Sequence, residues 1–81
     1  MTSGPDLETE IAVLLDNICT VLRALATMPT SPDVRTLTDR ALACERTVKD
    51  WGNHPPTAEE HEAMMRKLLG LHTALGRLQQ E

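Results

Sequence analysis

The chain has 81 residues, a net charge of −4 and a sequence pI near 5.3. Its length leaves room for one domain only, and the charge argues against a surface built to neutralise nucleic-acid phosphates. Trp51 is the only aromatic residue, while Leu, Ala, Met, Glu and Arg are plentiful, so composition favours helices over a β-sandwich or barrel.

The strong chain breakers are Gly4-Pro5, Pro29 to Pro32 and Gly52 to Pro56, and they delimit three segments. The first is expected as a helix over about 5–28. Pro5 suits the first helical position, and Asp6, Glu8 and Glu10 suit the positive end of the helix dipole. Pro29 stops it. Residues 1–4 are expected as a flexible tail to a single domain spanning 1–81.

The second helix is expected over about 32–51. Ser31-Pro32-Asp33 reads as an N-cap, an N1 proline and a first-turn acid, with Gly52 and Asn53 supplying the stop. The third is expected over about 58–80. Thr57 and Glu60 have the spacing of a capping box. Gly70 and Gly76 each weaken this helix by roughly 1 kcal/mol relative to Ala, which a close helix crossing would explain.

Apolar residues recur in heptad steps along all three. Helix one offers Leu7, Ile11, Leu14, Ile18, Val21, Leu25 and Met28. Helix two offers Val34, Leu37, Ala41, Cys44, Val48 and Trp51. Helix three offers His61, Met64, Leu68, Leu71, Leu75 and Leu78. Such seams pack knobs into holes at shallow angles, and short connections make neighbours antiparallel. The expected fold is all-α, an antiparallel up-down-up three-helix bundle.

Apolar residues remain beyond these seams: Leu15 and Leu22, Leu42, and Met65 and Leu69. A three-helix core can use wide stripes, because each helix touches two neighbours. Alternatively, part of this surplus forms an exposed groove for another helix, since Leu- and Met-rich surfaces adapt to such partners. Trp51 either closes the bundle end against the 52–56 turn or anchors a partner, as Trp does at interface hot spots.

Chemistry-bearing patterns are sparse. His61 and His72 are about three turns apart, too far to share a metal, and no metal site is expected. Cys19 and Cys44 sit about one helical turn out of register in a folded-back hairpin, poor geometry for a disulfide. The set of arginines and a lysine that helical chorismate mutases of this size use is present in number (Arg23, Arg35, Arg40, Arg46, Lys49), but these residues fall beside acids at helical spacing. The run Leu71-His72-Thr73-Ala74-Leu75-Gly76 resembles histidine phosphotransfer domains, which place glycine four residues after the histidine. Leu75 stands where they carry lysine. That resemblance implies a signalling domain phosphorylated on His72.

The leading expectation is a non-enzymatic interaction module, such as a small helical adaptor, co-chaperone or regulatory subunit. Its style is similar to that of the helical-hairpin co-chaperones of bacterial secretion systems, without an identifying motif. It would bind a partner helix or a second copy through Leu15, Leu22, Trp51, Met65 and Leu69. No cofactor, nucleic acid, membrane or small-molecule substrate is expected, and a cytoplasmic location follows from the lack of a signal peptide or a long apolar run.

Overall fold

The computed structural model describes residues 7–80. It contains three helices: α1 (Leu7–Ala26), α2 (Pro32–Asp50) and α3 (Ala58–Gln80). They pack into an up-down-up bundle measuring 48 × 20 × 20 Å, as the heptad seams predict. The expected tail at residues 1–4 and the helix start at Pro5 lie outside the described residues.

Two of the helix starts are built as their sequences dictate. Ser31 has extended backbone, and its side-chain oxygen accepts the Val34 N–H at 3.2 Å. Pro32 follows at the first helical position, where no amide hydrogen is needed. At α3, the Glu60 N–H donates to the Thr57 hydroxyl at 3.1 Å and Glu60 Oε1 accepts the Thr57 N–H at 2.9 Å. This reciprocal pair satisfies two otherwise orphan donors.

α2 ends where Gly52 and Asn53 indicate. Gly52 is not in the left-handed region that a glycine cap uses. Trp51 closes the helix with right-handed geometry, and the chain leaves through a tight turn. Gly52 N–H donates to the Lys49 carbonyl, and Asn53 and His54 N–H both donate to that of Asp50. These hydrogen bonds satisfy the Lys49 and Asp50 carbonyls with Gly52 outside the left-handed region.

The core runs the length of the bundle. Leu14, Ile18, Val21 and Leu25 come from α1; Val34, Leu37, Ala41, Cys44 and Val48 from α2; and Met64, Leu68, Leu71 and Leu75 from α3. No polar or charged side chain among the described residues is buried. Ile11, Leu15, Leu22, Met28 and Leu78 pack against this core half-buried. Stability rests on apolar burial, each fully buried Leu or Ile contributing about 1.5–3 kcal/mol before entropy is counted.

Candidate functional site

One cross-helix contact fixes how α1 and α3 lie. Glu10, in the first turn of α1, is hydrogen-bonded through Oε1 to Nε2 of His61, in the first turn of α3. The His61 ring stacks on Trp51, with centroids 6.1 Å apart and planes inclined by 29°. Trp51 is only 3% exposed. A residue from each helix thus closes this end of the bundle, and α1 and α3 run parallel with their starts level.

Helical periodicity then identifies the edge each helix turns to the other. On α1, Glu10 leads in alternating steps of three and four to Val13, Asn17, Thr20 and Ala24. On α3, His61 leads to Met65, Leu69, His72 and Gly76. These two rows flank the α1–α3 seam on its outer side. They hold three of the four large apolar side chains that remain exposed among the described residues: Val13 at 55%, Met65 at 46% and Leu69 at 68%. Leu42, at 36%, lies on α2.

The polar-sounding members of this face are largely self-satisfied. Thr20 donates its hydroxyl to the Asp16 carbonyl at 3.0 Å, and Thr73, beside the α3 row, donates to the Leu69 carbonyl at 2.9 Å. Bonding back to the preceding turn removes the hydroxyls from competition and leaves the methyls to face a neighbour. Gly76 faces open space: a Cβ added there would meet nothing within 4 Å. A close crossing inside the chain therefore does not account for this glycine. At Gly70 the nearest atom is Arg40 Nη2 at 3.9 Å, an ordinary contact.

The five apolar residues singled out from the sequence do not form one surface. Met65 and Leu69 lie on the α1–α3 face. Leu15 and Leu22 lie on the opposite edge of α1's core stripe, toward α2, and are half-buried against the core. Trp51 is inside, packed on His61, and presents almost no surface to a partner. Val13 belongs to the face and was not among the five. His72 is exposed on α3 within the same face, with no ion pair among the described residues.

A second concavity, of about 200 Å³, lies between α2 and α3, where Arg40 and Lys67 flank Cys44 and Met64. Cys44 is buried and Cys19 half-buried, and both are free thiols. Burial raises the Cys44 pKa, against the opposing pull of the Lys67 and Arg40 charges. A thiol held in its protonated form is a poor nucleophile and a poor metal ligand. Among the described residues, no three His, Cys, Asp or Glu side chains gather as a metal site, and no helix is long and apolar enough to cross a membrane.

No family model matches this chain, and no curated protein or solved structure matches it.

Proposed function

We propose that this chain is a non-enzymatic protein-interaction module whose working surface is the outer α1–α3 face. The observation that carries this reading is the clustering of Val13, Met65 and Leu69 on one face, although each could have been polar at no cost to the core. Isolated apolar residues on a surface need no explanation, whereas several on one two-helix face suit a partner helix. Around them lie small or internally bonded residues, Thr20, Ala24, Thr73 and Gly76, which let another backbone approach closely.

Site-specific photo-crosslinking in the native cell tests this. A photoreactive residue at Val13, Met65 or Leu69 is expected to give adducts of defined mass. The same group at Thr36 or Arg46, exposed on α2, is expected to give none. Equal adduct patterns from both sets, or no adducts from either, would overturn the reading.

A further inference from the structure

We propose that the concavity between α2 and α3 is a ligand site in its own right. It takes a small organic anion, with an oxyanion head held between Arg40 and Lys67 and a short aliphatic stem lying over Cys44. This site goes beyond the interaction-module reading and uses a different face of the bundle.

The floor is apolar. Cys44, Met64 and Leu71 are buried core residues, and the concavity reaches down to all three. Ala43 and Thr47 form its α2 wall. Thr47 donates its hydroxyl to the Ala43 carbonyl at 3.1 Å, so the wall presents methyl groups rather than a free polar hydrogen. The volume is about 200 Å³. At about 30 Å³ for each water-sized group, that holds roughly seven non-hydrogen atoms. A space of this size suits one short aliphatic stem.

The rim is positive. Arg40 and Lys67 stand on facing helices, both exposed, and neither has an ion-pair partner among the described residues. No acid lies one helical turn from either. Around Arg40 those positions are Thr36, Leu37, Ala43 and Cys44; around Lys67 they are Ala63, Met64, Gly70 and Leu71. Other cations of these helices are answered at that spacing, Lys49 by Glu45 and Arg66 by Glu62. In a chain with 12 acids and 8 bases, two unanswered cations beside one recess make a locally positive mouth. No acidic side chain lines it.

Gly70 brings the two charges together. The Arg40 guanidinium reaches across to α3, where its Nη2 stands 3.9 Å from the place a Gly70 Cβ would occupy. Gly70 is one turn from Lys67, about 4.5 Å of helix rise. Both cations are close enough to the Cys44 thiol to oppose the upward pull of burial on its pKa. An arginine fork beside a lysine matches a carboxylate or phosphate head, and the apolar floor favours an anion that carries a stem.

Amide NMR shifts of the isotope-labelled full chain, titrated with hexanoate at constant ionic strength, test the site. The Ala43, Cys44, Lys67 and Leu71 amides are expected to shift and saturate together. Half-saturation is expected on the order of millimolar, as suits so small a ligand. Acetate, which lacks the stem, and hexylamine, which reverses the charge, are expected to bind at least about tenfold more weakly. Arg40→Gln and Lys67→Gln should each weaken hexanoate by about 3- to 10-fold, whereas Arg66→Gln should leave it unchanged. Ala43→Leu, on the exposed wall, is expected to fill the recess and abolish the saturating shifts while the helical circular dichroism is retained. Shifts that rise linearly without saturating, or that are as large at Val13 and Leu69 on the α1–α3 face, overturn the site. So does hexylamine binding as tightly as hexanoate, or hexanoate binding that ignores both glutamine variants.

Discussion

The two edges of α1 carry similar residues and meet different fates. Toward α2, Leu15 and Leu22 are half-buried against the core. Toward α3, Val13 remains 55% exposed, facing Met65 and Leu69 across a seam where α1 and α3 pack less extensively than α1 and α2. Hydrophobicity alone does not decide burial here; the closeness of the neighbouring helix does. In this three-helix bundle the α1–α3 seam is the most open of the three.

The largest effect that should separate these edges comes from Ile18, which is wholly buried where the two edges meet. Ile18→Ala is expected to cost about 2–5 kcal/mol in chemical denaturation, since it opens a cavity among close-packed neighbours. Next is the cap that starts α3. Thr57→Ala should cost about 1 kcal/mol, and its loss loosens the turn that holds His61 against Glu10. Protection of the α3 first-turn amides from hydrogen exchange should fall more than that of the Leu71 amide. Of similar size and opposite sign, Gly76→Ala should stabilise the monomer by up to about 1 kcal/mol, because it removes a helix-weakening residue from a position with free space around it. A thermal midpoint lowered by that substitution would mean that another part of the chain occupies the space at Gly76.

Smaller still is an alkaline effect at the α2–α3 contact. The folded state holds the Cys44 thiol with a raised pKa, so it binds this proton more tightly than the unfolded chain does. That contribution is complete below the ordinary thiol value of 9.0 and is lost as pH rises through the folded-state value. The parent chain should therefore lose more stability than Cys44→Ala between pH 8 and higher values. Parallel losses in the two proteins would remove the role of burial. The smallest change is expected at the open seam: Val13→Thr should alter stability by less than about 0.5 kcal/mol. A loss of several kcal/mol there would mean that Val13 is part of the core and that the two edges are alike.

Most of the fold was legible because local rules and global packing agree. Ser31-Pro32, Thr57 with Glu60, and the heptad steps each specify a boundary or a buried face without knowledge of the others. The stop of α2 before Gly52 and Asn53 was legible too, but not the geometry of the turn, because a glycine permits a left-handed cap without requiring one. The site was harder to read. Periodicity says which stripe of a helix points inward, but which edge of that stripe meets which neighbour depends on how the third helix is placed, and no local pattern sets this. Hence Met65 and Leu69 could be picked out as surplus while Val13, three residues beyond Glu10, went unnoticed. The Glu10–His61 pair, which reveals the placement, joins residues too far apart in sequence for spacing to suggest. Trp51 was legible as a seam residue, and its place in the heptad proved a better guide than its residue type.

Because the lone indole sits against an imidazole at one extremity of the bundle, the protein carries its own optical probe of that extremity and of nothing else. With no tyrosine or phenylalanine to contribute, emission on heating follows the parting of α2 from the start of α3. Far-ultraviolet dichroism follows all three helices together. Coincident melting curves would mean that this 81-residue chain unfolds as one cooperative unit, whereas an earlier optical transition would identify the Trp51 end as the place where it first comes apart.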